Sequence, residues 1–164
     1  MGNDSLSFVH VGIIDINNDN ELTVIEASPE YGVTITPLKD FVESAPSLNG
    51  KPGIMVKRFI SSLPVNDVLE KAKSHLGEPY DWWYLPENGK MYCSELVLDS
   101  FIDFSGNPVF QPKPMKFRDS NGNLPEFWVE LFQKLDMGVP EGIPGSNPQD
   151  LSNDPQLMEI FRYF

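Results

Sequence analysis

Three side chains in this sequence carry the chemistry of acyl transfer: the single cysteine, Cys93, and, far upstream of it, His10 and Glu26. Around the cysteine the chain reads Lys90-Met91-Tyr92-Cys93-Ser94-Glu95-Leu96-Val97-Leu98-Asp99. Leu96, Val97, Phe101 and Phe104 recur at helical spacing, with Glu95, Asp99 and Asp103 on the other side, which predicts a helix over about 92–104. Cys93 then lies in the first turn, where unpaired amides and the positive end of the helix dipole favour a thiolate, the form that attacks a carbonyl carbon. A lone cysteine so placed is a candidate nucleophile. The competing reading is structural: Cys93 shares a stripe with Leu96, Val97 and Phe101, and a free cysteine is most often a small buried hydrophobe.

A nucleophilic thiol needs a base, and the N-terminal third supplies one. Residues 8–16 and 22–27 read as β-branched and aromatic strands, joined by Asn17-Asn18-Asp19-Asn20, which is turn chemistry. Two hairpin registers are open. Pairing Asp15 with Glu21 sets His10 directly opposite Glu26, whereas pairing Ile16 with Leu22 makes them diagonal neighbours. Either way they share a face, within roughly 5 to 8 Å of backbone separation. A core histidine and a solvated glutamate would explain each residue alone but not their common face. Asp15, Asn17, Asp19, Glu21 and Glu26 also fall at calcium-loop spacing, yet Asn20 replaces the turn glycine and the flanks are strand-like, which argues against calcium.

The remaining elements must hold these groups together. Residues 32–36 read as a third strand, Pro37 opens a brief helix, and residues 53–59 form a fourth strand. A helix then runs through Leu69, Ala72 and Leu76 and is stopped by Gly77 and Pro79, with His75 as a favourable charge at its end. The segment Glu78-Pro79-Tyr80-Asp81-Trp82-Trp83-Tyr84 is an aromatic loop directly before the cysteine helix, read as core or as the wall of an acyl, peptide or carbohydrate pocket. A further helix is expected over 125–135, a proline-rich loop over 139–155, and a terminal strand or helix over 157–164.

With 164 residues and 40% apolar content the chain is one domain, 1–164, with room for a real core. A net charge of −12 argues against nucleic acid or an anionic membrane as partner. One cysteine excludes an internal disulfide framework and a cysteine-rich metal site, and no metal or other cofactor is expected. No apolar run reaches the length of a membrane span, and Met-Gly-Asn-Asp-Ser lacks the basic start of a signal peptide, which makes the cytoplasm the default compartment unless a leader has been lost.

Taken in order, His10-Val11-Gly12-Ile13, Glu26 in Val-Ile-Glu-Ala, Gly77-Glu78-Pro79-Tyr80-Asp81 and Tyr92-Cys93-Ser94-Glu95-Leu96-Val97 give the chain its family likeness. It resembles the permuted NlpC/P60, papain-like amidases of the YiiX/YaeF type, in which histidine precedes cysteine. The resemblance covers about residues 8–104 and implies an α+β fold: a small antiparallel sheet or barrel packed against a cysteine-bearing helix. It implies Cys93 as nucleophile, His10 as general base and Glu26 as the group orienting His10. It further implies Tyr80 as a contact to the carbonyl oxygen or the pocket; Tyr92 and Trp82, beside the cysteine and in the aromatic loop, are expected as further substrate contacts. Relatives of this type usually carry a strand and a helix before the His-Val-Gly strand, and only nine residues precede His10 here.

The expected function is a thiol hydrolase that opens an amide or ester bond through a thioester, on a small-molecule, peptide or lipid amide such as a cell-wall peptide or an N-acyl compound. Two other readings stand beside it. One is a catalytically silent binding module on the same fold. The other is a glycan hydrolase with carboxylates beside Trp82 and Trp83, for which the sequence places no carboxylate pair together.

Overall fold

Asn20, at φ 61°, turns the chain between the first two strands, and its neighbour Asn17 holds the turn by accepting from the Asp19 and Glu21 amides. The computed structural model describes residues 7–164, so the reading of the first five residues lies outside the described part. Strands β1 (Ile13–Ile16), β2 (Leu22–Ser28) and β3 (Gly32–Pro37) form an antiparallel sheet in chain order. Ile16 pairs with Leu22 and Ile13 with Ile25, which selects the diagonal register of the two that the turn allowed. The expected first strand is shortened, because residues 8–12 run ahead of the ladder.

Helix α1 (Leu38–Ser44) follows Pro37, as expected of a proline just before a helix. A hairpin of two-residue strands, β4 (Ser47–Leu48) with β5 (Lys51–Pro52), precedes the expected fourth strand, which begins two residues late as β6 (Met55–Phe59). Helix α2 (Val65–Ser74) buries Val68 and Ala72, and Gly77 at φ 88° turns the chain out of it. Helix α3 (Cys93–Ser100) carries the cysteine at its first residue and buries Leu96, Val97 and Ser100.

Helix α3 ends at Ser100 rather than at residue 104. Phe101 is extended, and Asp103 accepts from the amides of Ser105 and Asn107, so a side-chain turn replaces the last helical turn and leaves Phe104 exposed. Further on come β7 (Lys113–Pro114), α4 (Glu126–Lys134), β8 (Pro144–Gly145), α5 (Pro148–Ser152) and β9 (Leu157–Arg162). The terminal segment is thus a strand, antiparallel to β6.

The main core joins Ile13, Ile25, Ala27 and Val33 of the sheet to Ala72 of α2, Leu96 and Val97 of α3, Phe110 and Leu151. A second cluster, Met115, Phe117 and Phe132 with Tyr84 and Trp128 packed on it, fixes the proline-rich second half. The architecture is α+β, with small antiparallel sheets and the cysteine helix laid on the first of them. Between β1 and β6 lies an open, largely apolar groove of about 1470 Å³, so the sheets do not close into a barrel among the described residues.

Candidate active site

Gly12 explains how His10 is placed. A Cβ on Gly12 would stand 2.3 Å from Val24 Cγ1 and 3.5 Å from Glu26 Cβ, so only glycine lets the segment before β1 lie this close to β2. His10 Nε2 then lies 2.6 Å from Glu26 Oε2, and Thr36 Oγ1 donates to Glu26 Oε1 at 2.6 Å. Glu26 is buried at 8% exposure, and the Phe41 ring of α1 packs beside the imidazole with centroids 5.7 Å apart. With Nε2 engaged by Glu26, Nδ1 is the ring nitrogen left for a thiol, and the ring feels the charge of Cys93.

The electrostatics follow from this contact set. Burial pulls the His10 pKa down, but the hydrogen bonds and charges of Cys93 and Glu26 outweigh it and push the value up to about 9. Glu26 goes the other way: burial raises its pKa, and its bonds to His10 and Thr36 carry it below the usual carboxylate range. At neutral pH the pair is an imidazolium on a carboxylate. Cys93 is buried at 5% exposure on the first turn of α3, where the dipole favours negative charge.

The aromatic loop runs beside the start of the cysteine helix. Asp81 is fully buried and accepts from the amides of Trp83 and Leu85, both at 2.9 Å, which folds 81–85 into a tight turn. Tyr80 forms a bridge with Met91, shortly before the cysteine. Burial raises the pKa of both Tyr80 and Tyr84, and both feel the charge of Cys93. Trp82 is half-buried, its ring edge-on to Tyr80 at 4.9 Å.

A match to the family described as permuted papain-like amidase enzymes of the YaeF/YiiX type, C92, extends over residues 3–161. This chain belongs to that family. The permuted papain-like domain is 26% identical over 157 residues to the uncharacterized protein YiiX of Escherichia coli K12, covering 93% of this chain and 73% of that protein. A solved structure of YiiX from Escherichia coli O157:H7, 25% identical, superposes with a TM-score of 0.74, covering 94% of this chain and 83% of the other. That structure is titled a metalloprotein. Among the described residues of this permuted papain-like chain, no group of three His, Cys, Asp or Glu side chains is placed to hold a metal ion. No helix among them is long and apolar enough to cross a membrane.

Of the six site residues expected from sequence, His10 meets Glu26, Tyr80 meets Trp82, and both His10 and Tyr80 feel the charge of Cys93. Tyr92 is set apart. It is buried at 3% exposure, and its hydroxyl accepts from the Ser146 amide at 3.2 Å. Its ring packs against Tyr84, so it fastens β8 to the cysteine helix instead of facing a cleft. Thr36, Gly12 as a close-approach residue, Phe41 and Tyr84 were not singled out by the sequence reading. Thr36 was findable, because it pairs with Val24 and is a diagonal neighbour of Glu26 on the same face.

Proposed function

We propose that Cys93, His10 and Glu26 form the catalytic triad of a thiol hydrolase acting on an amide or ester carbonyl. The observation that carries this reading is the His10–Glu26 contact together with the charge that His10 feels from Cys93, the only cysteine, at the first residue of α3. The Cys93 sulfur attacks the carbonyl carbon, and the carbonyl π pair moves to oxygen. The oxyanion is met by the Cys93 backbone N–H and by the Tyr80 hydroxyl. The His10 imidazolium gives its proton to the departing amine or alcohol, leaving a thioester; a water then loses its proton to His10 and releases the acid. Glu26 holds the ring and favours its charged form throughout.

Family membership supports an amide as the bond opened. Tyr80 and Trp82, edge to face, suit the flat amide of a peptide or an N-acyl compound. The groove between β1 and β6 reaches His10, but Cys93 is not one of its walls, so it is not assigned to the acyl group.

The decisive experiment is alkylation by iodoacetamide at about pH 6, where a free thiol is almost wholly protonated. Fast labelling of the parent that collapses in His10→Ala is expected. Slow labelling, unchanged by the substitution, would refute the triad and leave the binding-module reading.

A further inference from the structure

The second histidine joins three elements that the catalytic reading needs in register. His75 caps the C-terminus of α2. Its Nδ1 lies 2.9 Å from Glu78 Oε1, on the loop that leads to Tyr80, and its Nε2 lies 2.9 Å from Asp99 Oδ2, on the cysteine helix. A neutral imidazole has one N–H and one lone pair, so it can donate to only one of two carboxylates; both contacts require the charged ring. We propose that His75 is a positioning residue that seats the Tyr80 segment against the Cys93 helix, and that it does so only while both ring nitrogens carry protons. This deepens the triad reading and rests on it.

The surroundings explain why one side chain has this reach. The Glu78 carbonyl accepts from the Val33 amide at 2.9 Å, with Gly32 packed so closely that a Cβ there would stand 2.2 Å from the same oxygen. The Pro79 carbonyl accepts from Met91, and the Asp81 amide donates to Met91, both at 3.1 Å. These bonds tie the Tyr80 segment to β3 and to the approach to Cys93. His75 adds its tie to the far end of α3.

The charged groups around the ring are Glu78 from the loop, Asp99 from α3, and Lys71 from α2, whose Nζ lies 3.1 Å from Asp99 Oδ1. Glu95 on α3 also feels Glu78 and Asp99, and burial above all pushes its pKa up to about 8, so at neutral pH it adds no full charge. Lys71 and the imidazolium then balance Glu78 and Asp99, and loss of the ring proton leaves a carboxylate without a partner. Burial lowers the His75 pKa, but the bonds and charges of Glu78 and Asp99 outweigh it and raise the value.

The chain has two histidines, so ring ¹H–¹⁵N correlations of the parent, assigned with His10→Ala, report this site cleanly. At about pH 7.5, where a free imidazole is mostly neutral, His75 is expected to show both ring N–H groups, and more weakly in Glu78→Gln and Asp99→Asn. A single-proton ring in the parent would overturn the proposal. In turnover of p-nitrophenyl acetate, His75→Asn is expected to lose about ten-fold in kcat while the Cys93 alkylation rate stands unchanged, since the loop is displaced and the Cys–His pair is not. In Glu78→Gln, the high-pH fall of kcat should move to lower pH. Unchanged kcat in a folded His75→Asn, or an equal loss of turnover and alkylation, would also overturn it. A parent that neither hydrolyses the ester nor alkylates fast defeats the triad reading instead, while the ring-proton count still decides whether His75 holds two protons.

Discussion

His10 Nε2 and Glu26 Oε2 stand 2.6 Å apart although the register places the two residues on a diagonal, not directly opposite. The contact sets a pH window. The raised His10 pKa contributes stability that is complete below about 6.5, the unfolded value, and is lost as pH rises through about 9. The lowered Glu26 pKa contributes stability above its ordinary value, lost as pH falls through the folded one. Turnover, which needs the imidazolium, should fall on the alkaline side near pH 9, and the fall should move to lower pH in Glu26→Gln. An alkaline limb indifferent to Glu26→Gln would show that Glu26 does not set the charge of His10.

Thr36→Val removes the hydroxyl that holds Glu26 Oε1 and leaves the shape nearly intact. A carboxylate that loses one buried hydrogen bond should cost about 1–3 kcal/mol of stability, read by chemical denaturation. Alkylation at about pH 6 should slow by less than in His10→Ala, because Glu26 keeps its bond to the ring. Full parental stability would mean that Thr36 does not hold the carboxylate.

Gly12→Ala tests close approach rather than chemistry. The added carbon meets Val24 Cγ1 at 2.3 Å inside the sheet, so the segment carrying His10 must move away. A loss of about 1–3 kcal/mol is expected together with a clear drop in alkylation rate. A stable variant with parental reactivity would show that the segment has slack.

Glu95→Gln should stabilise the protein at alkaline pH. The folded carboxyl has its pKa raised to about 8, chiefly by burial, so the folded state holds a proton that the unfolded chain gives up near its ordinary value. Its penalty therefore grows as pH rises from about 4.5 to 8 and is absent below. The amide removes it, and about 1–2 kcal/mol of gain at pH 8, shrinking to nothing at pH 4.5, should appear in thermal melts. A loss at pH 8 would mean that the bond from the Tyr92 amide to Glu95 needs the charge.

The cysteine at a helix start, the hairpin turn, the shared face of His10 and Glu26, and the order of the family motifs were all legible in the sequence. They depend on short-range periodicity, turn chemistry and residue type, which the chain expresses locally. The hairpin register was undecided because turn residues alone permit two pairings; burial of Ile13 against Ile25 in the core chose one. The end of the cysteine helix was misplaced because the Asp103 side chain offers the backbone a turn that competes with another helical turn. Tyr92 looked like a substrate contact from its place beside Cys93, but it caps the helix with extended backbone, its ring is buried, and its partner, Ser146, comes from a distant part of the chain. His75 was readable only as a charge at a helix end; Glu78 lies three residues on, but Asp99 belongs to α3, and tertiary packing alone brings it to the same ring.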